Sequence, residues 1–125
     1  MSTTLHGAPF GTGPSGEPVL HGRRCLTCGH ASFPRQPYGC EACGAAGPGD
    51  PLDLPAAGTV RAAATVHRHP DPRVAVPFTL VSVRLDGGPL VRGVHAGTAA
   101  AGDRVRARLE GEGDRTALRF ESERR

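Results

Sequence analysis

A chain of 125 residues holds one domain or two very small ones, which excludes a large multi-lobed enzyme. Leu, Val, Phe and Ile together number 24, of which 16 fall in residues 58–125, so only the C-terminal half can build a conventional core. The net charge is +3 and all 15 basic residues are Arg, which removes Schiff-base, pyridoxal-phosphate and P-loop chemistry because each needs a lysine.

Residues 1–19 are rich in Gly, Pro, Ser and Thr without apolar periodicity, and read as a disordered tail. They lack the basic and apolar regions of an export signal. The longest apolar stretch, Val74 to Val83, is broken by Pro77, Thr79 and Ser82. A soluble, cytoplasmic protein with no membrane segment is expected. The tail spells G-x-G-x-x-G from Gly11 through Gly13 to Gly16, but Pro14, Pro18 and the lack of a flanking strand and helix deny a nucleotide loop.

Residues 20–46 carry Cys25-Leu26-Thr27-Cys28-Gly29 and Cys40-Glu41-Ala42-Cys43-Gly44. In a reducing compartment two close cysteine pairs point to a metal rather than to disulfides. Each pair delivers two thiolates to one ion, and the glycine after it permits the positive φ that turns backbone N–H groups toward sulfur. Cys25, Cys28, Cys40 and Cys43 thus predict one structural zinc in a closed, rubredoxin-like ribbon. Iron fits the same cage, but this half has few large apolar residues to shield a redox centre. His21 and His30 flank the first turn and read as solvated neighbours.

Residues 47–57 are rich in Pro and Gly and read as a linker. Beyond them, residues 58–125, the period becomes two. Val60, Ala62, Ala64 and Val66 alternate with Arg61, Ala63, Thr65 and His67; Thr79, Val81, Val83 and Leu85 share one face of a second run. Asp86-Gly87-Gly88 suits a tight turn into a third run, Leu90 to Val94. Val105, Ala107 and Leu109 alternate with Arg104, Arg106 and Arg108, the wet face of a fourth. Thr116, Leu118 and Phe120 mark a fifth. Between the third and fourth runs, Ala96 to Asp103 leaves room for one helical turn, with Thr98 as cap and Gly102 as stop. The expected fold class is small all-β: an N-terminal zinc ribbon followed by a five-stranded OB-fold barrel, with an SH3-like barrel as the alternative.

Catalysis within the chain is poorly supported. The cysteines are committed to metal and none of the five serines sits in a G-x-S-x-G elbow, leaving His67, His69 and His95 as the acid–base groups. Single-stranded nucleic-acid binding is the alternative function, yet Phe78 and Phe120 are the barrel's only stacking platforms.

The order of motifs resembles the zinc-ribbon/OB-fold family associated with thiolases and acyl-CoA enzymes. The matching residues are the two cysteine turns, Phe33-Pro34-Arg35, Gly58-Thr59-Val60, Val66-His67, Pro77-Phe78, Val83-Arg84-Leu85-Asp86-Gly87 and Gly102-Asp103-Arg104-Val105. The resemblance implies a non-catalytic accessory subunit. It would dock on a thiolase-fold enzyme, a lipid-transfer-type steroid aldolase or a hydratase and help shape an acyl-CoA site. The Pro-rich loop after the first strand, with Arg68, His69 and Arg73, and the adjoining Phe78 are the expected partner or acyl-CoA contacts. Family members usually begin with an amphipathic helix, which residues 1–19 cannot form.

Overall fold

A computed structural model describes residues 10–35, 38–47, 49–112 and 115–123. The described residues form nine strands and no helix, so no helix is long and apolar enough to cross a membrane. Two compact units emerge: the first runs to Ala56 and includes Asp86–Pro89; the second comprises Ala57–Leu85 and Leu90 onward.

The first unit is a four-stranded antiparallel sheet built on β2 (Pro18–Arg24). One edge of β2 pairs with β1 (Phe10–Thr12) and β3 (Ala31–Ser32), the other with β4 (Asp50–Pro55). Two expectations are corrected here. The described part of the expected tail is a hairpin: Phe10 lies opposite Leu20, Gly13 N–H donates to Glu17 O at 2.7 Å, and Gly16 N–H donates to Gly13 O. Its G-x-G-x-x-G spacing is the grammar of that turn, with Gly16 at φ 84°. The expected linker contains β4, which pairs with β2 from Val19↔Pro55 to Arg24↔Asp50. Pro51 and Pro55 are compatible with it because β4 is an edge strand among the described residues, pairing with β2 alone. Backbone pairing, rather than apolar periodicity, makes both strands.

The second unit is a closed barrel of β5 (Ala57–Val66), β6 (Phe78–Leu85), β7 (Leu90–His95), β8 (Arg104–Glu112) and β9 (Arg115–Ser122), in the order β5-β6-β7-β9-β8. β7 meets β9 in parallel and skips β8, and β8 returns to β5, which closes a Greek-key barrel of the OB type. Val60, Val81, Val83, Leu85, Val91, Val105, Ala107 and Phe120 fill it, all buried. Burying them is worth about 1.5–3 kcal/mol for each large side chain.

The alternation of β5 is corrected by a bulge. Between Val60 and Ala62 the register with β6 shifts, so Val60 faces Val83 but Ala62 faces Ser82. Arg61 is the extra residue, and it reverses the parity of everything after it. Ala63 and Thr65 now stand opposite Val81 and Thr79, and Arg61 through Thr65 are exposed. The room for one helical turn between β7 and β8 is not used: residues 96–103 form a non-helical connection in which the Asp103 Oδ2 accepts from Ala100 N–H at 2.9 Å. Gly102, at φ 96°, donates its N–H to Val60 O.

Candidate metal centre

The two cysteine turns are built alike. Gly29 N–H donates to Cys25 O at 3.0 Å and Cys25 N–H to His30 O at 2.9 Å; Gly44 N–H donates to Cys40 O at 2.9 Å and Cys40 N–H to Ala45 O at 2.9 Å. Gly29 and Gly44 both sit at φ 79°, where a side chain would be strained. Thr27 N–H and Ala42 N–H point at the first sulfur of each turn, 3.4 Å from Cys25 Sγ and 3.3 Å from Cys40 Sγ.

The turns bring four Sγ atoms to within 4.8 Å of one another, with Cys25–Cys43 and Cys28–Cys40 both at 3.7 Å. A tetrahedron with metal–sulfur bonds of about 2.3 Å has edges of about 3.8 Å, so the cluster matches a single ion held by four thiolates. Cys25 and Cys40 are buried, Cys28 and Cys43 exposed. Backbone N–H groups of Cys28 and Thr27 pull Cys25 down to about 6. Those of Cys43 and Ala42 lower Cys40. At Cys28 the His30 N–H also lowers the thiol, but desolvation and the three neighbouring sulfurs outweigh it and push it up to about 11. Four thiolates this close would repel one another, so they cannot all ionise without an ion; a divalent cation removes that penalty.

Neither flanking histidine joins the cluster. His21 Nδ1 lies 2.8 Å from Asp53 Oδ1, and His30 Nε2 lies 3.0 Å from Glu41 Oε2.

The barrel carries the second group of candidate residues. Asp71 organises the loop between β5 and β6: its carboxylate accepts from Arg73 N–H, Nε and Nη2 at 2.9, 3.1 and 3.0 Å, and its N–H donates to His69 Nδ1 at 3.0 Å. The Arg73 guanidinium holds the Asp71 carboxyl below its usual range. The Phe78 ring lies 6.4 Å from that of His69. Arg73 and Phe78 line one cavity of about 550 Å³ with Val74, Pro77, Val94 and Arg119. Arg68 is exposed on the same loop and does not line it.

Val94 and Arg119 escaped sequence reasoning, although outward parity on their strands was available as a signal. They become neighbours only through the parallel β7–β9 pairing, where they are in register. The arginines of β8 are engaged: Arg106 pairs with Glu121, Arg108 with Glu110 and Glu121, and Arg104 with Glu123. Phe120 is fully buried, which withdraws one of the two stacking platforms.

Residues 53–110 match the family model for the ChsH2 C-terminal OB-fold domain. The family resemblance read from the sequence is borne out. No curated protein matches the chain. Among solved structures, the one described as the Ltp2-ChsH2(DUF35) aldolase superposes with a TM-score of 0.67 at 24% identity, over 83% of this chain and 84% of that one. A DUF35-family protein of unknown function from Sulfolobus solfataricus gives 0.59 at 17% identity, over 84% and 76%. The ChsH2-type match covers most of the barrel; the structural likenesses extend the shared fold to most of the chain.

Proposed function

We propose that this chain is a cytoplasmic, non-catalytic subunit that docks on an aldolase-type enzyme and helps form or present an acyl-CoA site. The observation that carries this reading is the likeness, over 83% of the chain, to a structure described as an aldolase containing ChsH2(DUF35). Within the wider class of thiolase-fold, aldolase and hydratase partners, that likeness favours the aldolase. The chain's own chemistry agrees. Four thiolates make a closed site with no position for substrate, so zinc here would hold the fold of the first unit and leave the reaction to the partner. His95 lies inside the barrel, 3% exposed, with Nδ1 against Gly97 O at 3.1 Å, a structural position for a histidine.

The cavity lined by Arg73, Val74, Pro77, Phe78, Val94 and Arg119 is the contact surface we assign, apolar side chains flanked by two arginines. A groove for single-stranded nucleic acid would need free cations and exposed aromatics. Here the β8 arginines face carboxylates and Phe120 is core.

Affinity capture with the tagged full chain from its native host tests the proposal. The expected result is a stoichiometric complex with an aldolase-type enzyme whose cleavage of an acyl-CoA substrate requires this chain. Sub-micromolar binding to an oligonucleotide, with no enzyme recovered, would overturn it.

A further inference from the structure

Arg23 is the most buried charged residue described in the first unit, 2% exposed. Its Nη1 donates to Tyr38 O at 2.7 Å, while its Nε has no hydrogen-bond partner among the described residues. No carboxylate pairs with it among the described residues: Glu41 is turned to His30, Asp53 to His21, and Glu17 to Ser15 N–H. Across the sheet Arg23 faces Ser32 and Pro51, both neutral. The backbone closes over it. A Cβ added at Gly49, which sits at φ 71°, would lie 3.0 Å from both Nε and Nη2 of Arg23. A guanidinium cannot shed its proton, so a buried one needs a compensating negative charge.

Arg23 lines a small cavity of about 140 Å³ together with Cys25, Thr27 and Gly49. Cys25 is one of the four sulfurs, and four thiolates around a divalent ion carry a net charge of −2. We propose that Arg23 is the counter-charge of the metal centre: the loaded four-thiolate site, rather than any carboxylate, balances the buried guanidinium. The inference rests on the four-cysteine metal reading and goes beyond it by making the metal and Arg23 depend on each other. Loaded, the dianion and the cation stabilise one another. Unloaded, the four sulfurs cannot all stay ionised side by side, so the guanidinium loses the fixed dianion it faces in the loaded site.

The test compares the full-length wild type with Arg23→Met, Arg23→Gln and Arg23→Lys. Zinc affinity is measured by competition with a chromophoric chelator, and the cobalt(II) absorption of each variant checks that the site stays tetrahedral. Arg23→Met and Arg23→Gln should weaken zinc binding about ten- to a hundredfold, the scale expected for a group acting on a metal through its ligands. Arg23→Lys should stay within a few-fold of wild type. In metal-free protein, amide exchange in the first unit should be no faster in Arg23→Met than in wild type, because the variant removes the unpaired charge along with the Tyr38 hydrogen bond. Should Arg23→Met fail to fold, Arg23→Gln keeps a donor for Tyr38 and carries the comparison. Affinity of the neutral variants within twofold of wild type would overturn the proposal. So would a loss in Arg23→Lys equal to that in Arg23→Gln, since packing and not charge would then be responsible. A wild-type chain that binds no zinc removes the metal reading and this inference together.

Discussion

His30 Nε2 lies 3.0 Å from Glu41 Oε2, which ties a residue just after the first cysteine turn to one inside the second. The pair is largely exposed, so it contributes at most about 1 kcal/mol, and the thiolates must supply the rest of what joins the turns. His30→Ala should therefore leave the metal content unchanged at one zinc per chain, whereas Cys28→Ser should lower it well below one. Elemental analysis of protein purified without chelator decides between them. Zinc loss in His30→Ala equal to that in Cys28→Ser would make His30 a ligand.

Chelation should act on the first unit before the barrel. The first unit's buried residues are few, chiefly Val19, Leu20, Leu54 and the two inner cysteines, and small zinc modules draw folding free energy on the order of 10 kcal/mol from their metal. Hydrogen exchange with and without chelator should show β2 losing protection while β6 and β8 keep theirs. Simultaneous loss in both units would mean that they unfold as one.

What was legible in the sequence follows from this contrast. The barrel strands announce themselves because Val81, Val83 and Leu85, or Val105 and Ala107, must point into one core at every second residue. The four-cysteine cluster is legible because the chemistry of a metal site fixes residue type and spacing. β1 and β4 were not legible, since their stability comes from backbone bonds to β2, which leave no periodic signature in Pro- and Gly-rich segments. Arg61 was misread for a different reason: one inserted residue reverses the facing of a strand, and nothing local marks it. Arg23 gave no signal because a charged residue is ordinarily exposed.

Gly58 gives a physical reason for the Gly58-Thr59-Val60 motif. A Cβ there would collide with Arg84 O, a backbone atom of the paired strand that cannot swing away. Gly58→Ala should destabilise the barrel by about 1–3 kcal/mol, the usual scale of overpacking, and lower the melting temperature by several degrees. Gly88→Ala is a different case: its Cβ meets nothing, but its φ of 119° strains any side chain. Thermal unfolding of both variants, followed through the barrel, gives the comparison; an unchanged midpoint in Gly58→Ala would mean that β5 and β6 pair less closely than this.

The Arg119–Glu110 contact predicts an acid dependence. Arg119 Nε donates to Glu110 Oε1 at 2.7 Å, and this bond, with Arg108 adding to it, holds the Glu110 carboxyl below its ordinary value of 4.5. A carboxylate depressed in the folded state stabilises the fold above its unfolded value, and that stabilisation disappears as the pH falls through the folded one. Wild type should exceed Glu110→Gln in barrel stability at neutral pH, with the gap closing progressively below about pH 4.5. A gap that persists at pH 2 would assign the difference to packing instead of charge.

The cavity beside β7 and β9 separates residues that one loop places close in sequence. Arg73 and Phe78 line it, while Arg68 is exposed outside it. If the cavity is the docking surface, Phe78→Ala should weaken the enzyme complex most, because a half-buried aromatic at the centre of an interface commonly contributes 2 kcal/mol or more, roughly thirtyfold in affinity. Arg73→Ala should cost less, since it already pairs with Asp71. Arg68→Ala should be neutral within about twofold. Complex formation should tolerate salt, as a mostly apolar interface does, whereas oligonucleotide affinity would fall steeply as counterions are released. Titrating the three variants against the captured enzyme at low and high salt reads all of this at once. Equal losses in Arg68→Ala and Phe78→Ala would move the contact from the cavity to the outer rim of the loop, and a steep salt dependence would point back to a polyanionic partner.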